Sequence, residues 1–244
     1  MKKKLIRFFF YFYRPVLIML VGFDTAMFGS LAILVSFIDR RGDIVHYVSK
    51  MWSCMNLVLS GVSVSVAGLE NIRKGQPYII MSNHQSSLDI WALIRYTPLQ
   101  LRWVMKIELR KVPIFGLSCE RAGYIYVDRG DSQKAHESLK IAGQKIRNGA
   151  SIVFFPEGTR SRDGKLLPFK KGGFVIAVEA GVPILPVTIT GSLPLLPRKS
   201  LKIMPGNIKM RFHEPIQVNG YSYDTREQLM DRVRKVIEKD LIDI

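Results

Sequence analysis

Beyond Gly61 the sequence becomes a succession of short apolar runs separated by helical segments, and this alternation limits the possible folds more than any other feature. Val62-Ser63-Val64-Ser65-Val66 alternates with period two, as a strand with one covered face does, and Gly68 and Asn71 mark the turn after it. Further strands are expected at 78–81, 101–105, 124–127, 151–155 and 184–190, with 208–212 read as an edge strand. Between them, helical spacing covers 88–96, a short piece near 114–120, 131–148 and 173–180. Ala135, Leu139, Ala142 and Ile146 form one stripe of the 131–148 helix, and Gly149 closes it. A capping box, Asp224-Thr225-Arg226-Glu227, opens a last helix carrying Leu229, Val233, Ile237 and Leu241. Strands alternating with helices indicate an α/β domain over residues 62–244, a mixed and largely parallel sheet flanked by helices.

Residues 1–61 have another character. Lys2-Lys3-Lys4 precedes an apolar stretch, 5–38, interrupted by Arg7, Arg14, Pro15 and Asp24. One straight helix of that length would run about 50 Å, past the roughly 30 Å hydrocarbon core. The uncharged pieces 15–23 and 25–38 each fall short of the about 18 apolar residues that a spanning helix needs. Arg7 and Arg14, with Tyr11 and Tyr13, suit headgroup level. After Gly42-Asp43, Ile44, Tyr47, Val48, Met51, Trp52, Met55, Val58 and Leu59 recur at helical spacing, and Gly61 can end the helix. His46, Ser49, Lys50, Ser53 and Asn56 take the other side, His46 with no chemistry expected. The expectation is a membrane-associated two-helix hairpin that dips into one leaflet, with a single spanning helix as the alternative. No A-x-A-like site follows the apolar run, against a cleaved signal peptide.

The formal net charge of +16 calls for an anionic partner: nucleic acid, an anionic membrane, an acidic carrier protein or a phosphorylated substrate. The basic residues are spread widely and no nucleic-acid-binding motif is present, so nucleic acid is not expected. Cys54 and Cys119 lie outside any CxxC pair or metal-ligand spacing, so no disulfide and no metal are expected, and a reducing compartment fits.

Three polar knots interrupt the apolar pattern. In Ser82-Asn83-His84-Gln85-Ser86-Ser87-Leu88-Asp89, a helix starting near Ser86 would let Asp89 point back at His84. On one ideal helix the two would stand about 140° apart. Two readings stand: a carboxylate orienting an imidazole base, or a capping box. Phe155-Pro156-Glu157-Gly158-Thr159-Arg160-Ser161-Arg162 follows a buried run, and its hydroxyls, amides and arginines suit either an anion or plain solvent. Arg129 and Lys106, each ending an expected strand, could reach the same crevice.

Together these segments resemble the glycerolipid acyltransferase family, and more closely its bacterial 1-acyl-sn-glycerol-3-phosphate acyltransferases. His84-Gln85-Ser86-Ser87-Leu88-Asp89 matches the HxxxxD motif, and Gly123-Tyr124-Ile125-Tyr126-Val127-Asp128-Arg129 the second motif. Phe155-Pro156-Glu157-Gly158-Thr159-Arg160-Ser161 matches the third, and Val182-Pro183-Ile184-Leu185-Pro186-Val187 the fourth. The resemblance implies acyl transfer from acyl-CoA or acyl carrier protein to the sn-2 hydroxyl of lysophosphatidic acid, without a cofactor. It implies His84 as general base oriented by Asp89, and Lys106, Arg129, Glu157, Gly158, Thr159 and Arg160 around the acceptor's headgroup. It also implies the bacterial inner membrane, with the catalytic domain on the cytoplasmic face. Acylation of another lysolipid, or non-catalytic binding of anionic lipid, are the competing expectations.

Overall fold

The computed structural model describes residues 2–39, 41–128 and 130–242. Arg129 therefore lies outside the described residues, and its expected role at the site has no structural counterpart here. Among the described residues seven strands form one sheet: β1 (Val62–Ala67), β2 (Ile79–Ser82), β3 (Leu101–Lys106), β4 (Ile125–Val127), β5 (Ser151–Phe154), β6 (Ile184–Thr190) and β7 (Gly206–Phe212). Their order is β1-β7-β6-β2-β5-β3-β4, with every pair parallel except β6–β7. The mixed, largely parallel sheet expected from the sequence is thus observed.

The helices are α1 (Lys2–Ser36), α2 (Asp43–Leu59), α3 (Leu88–Tyr96), α4 (Phe115–Arg121), α5 (Ser132–Arg147), α6 (Gly172–Ala180) and α7 (Arg226–Ile242). They cover both faces of the sheet, and β2 shows why its sequence is apolar throughout. Ile79 and Met81 enter a core with Ile146, Phe174 and Leu229 from α5, α6 and α7. Ile80, one residue out of phase, enters the opposite core with Trp91 and Leu93 of α3.

One strand departs from expectation. β7 is not an edge: it sits between β1 and β6. Ile208, Met210 and Phe212 point inward while Asn207, Lys209 and Arg211 are exposed. Alternation of this kind reports that one face is bare, and says nothing about neighbours within the sheet.

The amino-terminal pair departs more informatively. α1 runs unbroken through Pro15 and Asp24 as a 35-residue helix. The carboxylate of Asp24 turns inward, accepting a 2.5 Å bond from Asn56 Nδ2 of α2, so it ties the hairpin instead of breaking it. Trp52 Nε1 donates to Thr25 Oγ1 at 3.1 Å across the same seam. The segment Phe12–Ser36 is long and apolar enough to cross a membrane by length and composition. The polarity of both helices is inside out. Asp24, His46, Ser53 and Asn56 are buried, whereas Phe23, Leu34, Tyr47, Met51 and Val58 are exposed. His46, expected on an outward polar face, is instead buried with Nε2 3.1 Å from the carbonyl of Leu99. Leu17 of α1 and Leu57 of α2 belong to the same core as β2 and α3, so the pair is packed onto the body.

Candidate active site

β6, β2, β5 and β3 run parallel side by side, so the loops leaving their carboxyl ends emerge at one edge of the sheet. In open α/β sheets this edge is where ligands bind. Both polar loops picked out in the sequence, 83–87 and 155–161, leave it from the adjacent strands β2 and β5.

His84 lies in the first loop and Asp89 in the first turn of α3, which begins at Leu88. The Nδ1 of His84 is 2.9 Å from Asp89 Oδ2. A carboxylate can only accept, so Nδ1 carries the proton and Nε2 is left with a lone pair. The same Oδ2 accepts from the backbone amides of Gln85 at 2.7 Å and Ser86 at 2.8 Å. The two readings of this segment are therefore one object: the oxygen that caps α3 also orients the imidazole. The Ser86 hydroxyl accepts from Leu88 N at 3.3 Å, at the first residue of α3, and donates at 2.9 Å to the carbonyl of Leu196. Asn83 fixes the loop to β6 by accepting from Ile189 N at 2.8 Å and donating to Ile189 O at 2.7 Å. The ring of His84 stacks on Phe155, with centroids 3.8 Å apart and planes 8° apart, and Trp103 leans on Phe155 at 5.8 Å. Backbone bonds, carboxylate and stack together hold the imidazole in one orientation.

The second loop supports the first from below. Glu157 is buried, and its two oxygens accept from His84 N at 2.8 Å and Leu167 N at 2.9 Å. Burial pushes its pKa up to about 7, against the pull of those two amides. Its side chain is thus committed to the scaffold beneath the imidazole, not to the cavity wall where a headgroup would contact it. Ser161 N donates to the carbonyl of His84 at 2.8 Å, a second tie between the loops. Gly158 has φ +71°, and a Cβ there would meet Lys170 Cε at 2.9 Å, so the turn requires glycine. Arg160 donates to Ser87 Oγ at 2.9 Å.

His84, Ser87, Gly158, Thr159 and Arg160 border a cavity of about 650 Å³, and Lys106, 55% exposed, stands on its wall. Away from this polar mouth the cavity is apolar. It passes between α3, β3 and α4 on one side and Thr25, Phe28, Ala32, Val48 and Trp52 of α1 and α2 on the other. Cys119 also lines it, but burial pushes its thiol up to about 12, which keeps it from acting as a nucleophile. Among the described residues no group of three metal-ligating side chains converges.

A family model described as Acyltransferase matches residues 63–190, more than half of the chain and all of the strands that carry these loops. The chain belongs to the acyltransferase family. Among curated relatives, the chloroplastic 1-acyl-sn-glycerol-3-phosphate acyltransferase BAT2 of Brassica napus is 35% identical over 173 residues, covering 70% of this chain and 50% of that protein. The 1-acyl-sn-glycerol-3-phosphate acyltransferase of Saccharomyces cerevisiae is 31% identical over 231 residues, covering 93% and 76%. The chain spans about half the length of the chloroplastic relatives it matches. The crystal structure of the 1-acyl-sn-glycerophosphate (LPA) acyltransferase PlsC from Thermotoga maritima superposes with a TM-score of 0.78 at 30% identity, covering 99% of this chain and 95% of that one.

Of the site residues expected in this acyltransferase, His84, Asp89, Lys106, Gly158, Thr159 and Arg160 come together, the first two by hydrogen bond and the others around one cavity. Glu157 joins them as a support, its carboxylate accepting from the backbone amides of His84 and Leu167. Sequence reasoning missed Phe155 as the platform under His84, although it directly precedes Pro156-Glu157. It also missed Arg198 and Lys199, which line the cavity from the β6–β7 connection and lie outside all the motifs. Their signal in the sequence was a basic pair closing Leu193-Pro194-Leu195-Leu196-Pro197.

Proposed function

We propose that the chain transfers a fatty acyl group from an acyl thioester to the sn-2 hydroxyl of 1-acyl-glycerol-3-phosphate, forming phosphatidic acid and a free thiol. The observation that carries this reading is the His84–Asp89 couple at the polar mouth of a long apolar cavity. An alcohol is a weak nucleophile at neutral pH. Nε2 of His84 takes its proton as the oxygen attacks the thioester carbonyl, and the negative charge of Asp89 stabilises the imidazolium that forms. Collapse of the tetrahedral intermediate restores the carbonyl and breaks the C–S bond, and the imidazolium returns the proton to the leaving thiolate. The lysolipid bond forms directly, with His84 and Asp89 as the catalytic pair. Gly158, Thr159, Arg160 and Lys106 receive the phosphoglycerol head, and Glu157 keeps its supporting place under His84. The apolar cavity receives an acyl chain, and its volume falls within the range of about 300–1,000 Å³ usual for ligand sites.

The donor is acyl-CoA or acyl carrier protein, and the inside-out polarity of α1 and α2 fits a hairpin whose apolar outer face rests in lipid. On this reading residues 1–61 are the membrane device of a catalytic body, 62–244, working at the cytoplasmic face of the bacterial inner membrane. The test is thiol release by the purified full chain in lipid vesicles, with a panel of lysolipids and both donors. His84→Ala should lower turnover with lysophosphatidate by at least about 10²-fold. A folded, vesicle-bound His84→Ala protein that keeps wild-type turnover would overturn the mechanism, and wild-type inactivity with every lysolipid would overturn the activity.

A further inference from the structure

The β6–β7 connection, residues 191–205, belongs to none of the family's motifs, yet it is fastened to both catalytic loops. Ser86 of the first loop donates its hydroxyl to Leu196 O. Leu195 and Leu196 are buried in the core beside β2 and α3, and Met204 N closes back on Leu195 O at 2.8 Å. Arg198 then reaches the second loop, Nη1 donating to the carbonyl of Arg160 at 3.1 Å. Lys199 follows in the left-handed region at φ +61°, inside a turn closed by Ser200 N on Pro197 O. In extended chain, successive side chains point to opposite sides. The left-handed residue breaks that alternation, and Arg198 and Lys199 both line the cavity of His84.

The charge balance of this corner is incomplete. Arg160 and Arg198 are half-buried, and the contacts of each are with neutral oxygens, Ser87 Oγ and the Arg160 carbonyl. No carboxylate of the described residues forms an ion pair with Arg160, Arg198 or Lys199. The two acids nearby are already committed, Asp89 to His84 and two amides, Glu157 to two amides. Desolvated like charges side by side are costly unless an anion joins them. Two guanidiniums and an ammonium around one polar mouth suit a phosphate dianion, because several donors can fork onto its oxygens at once.

We infer that Arg198, flanked by Lys199, completes with Arg160 a clamp for the acceptor's phosphomonoester, and that this clamp sets the preference for a terminal phosphate over a phosphodiester headgroup. The inference rests on the acyl-transfer reading above. Arg198 acts as a specificity residue on the substrate's charge, remote from the reacting atoms, so its loss is read in KM more than in kcat.

The experiment uses the full chain in vesicles with Arg198→Gln, which can still donate to the Arg160 carbonyl but carries no charge, and with Arg198→Lys. At saturating donor, Arg198→Gln should raise KM for lysophosphatidate about 10–100-fold, the worth of one charge-assisted hydrogen bond, with Arg198→Lys restoring part of the loss. The ratio of kcat/KM for lysophosphatidate to that for a lysolipid with a diester headgroup should fall by the same factor. A KM for lysophosphatidate within about twofold of wild type overturns the clamp. So does a rise confined to KM for acyl-CoA that vanishes with a phosphate-free acyl thioester, since the phosphate recognised would then be the donor's. If wild type shows no turnover, the acyl-transfer reading fails, and binding of sn-glycerol 3-phosphate measured calorimetrically on wild type and Arg198→Gln still decides the clamp. Equal affinity for the two proteins overturns it.

Discussion

Asp89→Asn separates the two roles that one carboxylate oxygen performs. In the wild type, Oδ2 accepts three hydrogen bonds, from Gln85 N, Ser86 N and His84 Nδ1, while Oδ1 is buried without a partner. The asparagine oxygen can keep the position of Oδ2, but the amide nitrogen then takes the buried place of Oδ1, where no hydrogen-bond partner is seen in the wild type. Losing charge assistance at the two amides costs about 1 kcal/mol each, and the stranded amide group about 1–3 kcal/mol. Relief from burying an ionised carboxylate offsets part of this, leaving a net loss of about 2 kcal/mol. The kinetic effect is larger. Without the negative charge the imidazolium is unsupported, and if the amide turns to offer its N–H to Nδ1, the ring takes the wrong tautomer. Turnover should fall by about 10²–10⁴-fold. Thiol release gives the rate and urea unfolding gives the stability. The decisive measurement is the double variant. If Asp89 acts through His84, adding Asp89→Asn to His84→Ala should cost stability but little further rate. Multiplying rate losses, or an Asp89→Asn turnover within about threefold of wild type, would refute the reasoning.

Other consequences are open to measurement. Because burial raises the pKa of Glu157 from 4.5 to about 7, the folded chain holds a proton there that the unfolded chain has lost between those values. That contribution to stability is full below pH 4.5 and disappears as pH rises through about 7, so Glu157→Gln should gain on wild type in thermal unfolding as the pH goes from acid to alkaline; a pH-independent difference would contradict this. Ala32 lines the cavity seven residues beyond Thr25, about 10 Å further along α1. Ala32→Phe should therefore shorten the longest acyl chain accepted, as read from rates across a series of chain lengths, and an unchanged length profile counts against the apolar arm as the chain's seat. Met51 is 57% exposed on the outer face of α2. Met51→Glu should lower partition onto anionic vesicles about tenfold or more without moving the unfolding midpoint, and unaltered partition would mean that this face does not meet lipid.

Much of this molecule was legible because burial writes periodicity into a sequence. The period-two run at 62–66 and the uninterrupted apolar runs at 79–81 and 152–154 correspond to β1, β2 and β5. What periodicity cannot encode is adjacency, and β7 shows it: the pattern Ile208, Met210, Phe212 was right about its faces and silent about β1 beside it. The hairpin was harder, since rules learned in water place His46 and Asn56 outward, whereas in α2 both are buried and bonded to other segments. At the site, spacing sufficed to suggest that Asp89 could return to His84. The ring of Phe155 beneath it and the approach of Arg198 depend on strand order and on a connection more than 100 residues away, which no local pattern reports.

The packing of α1 and α2 on the body has a practical consequence for anyone who would shorten the chain to obtain its α/β part alone. The hairpin supplies Leu17 and Leu57 to the central core and six side chains, from Thr25 to Trp52, to the cavity wall. A truncation at Gly61 would therefore leave an open trough in place of the proposed acyl-chain seat, with water admitted along its length and Trp91 and Tyr124 uncovered. On the proposed reading, such a fragment would lose part of the catalytic cavity together with the segment that meets lipid. If the hairpin rests in lipid as proposed, a soluble form is to be sought by recolouring the exposed faces of these helices, not by cutting them away.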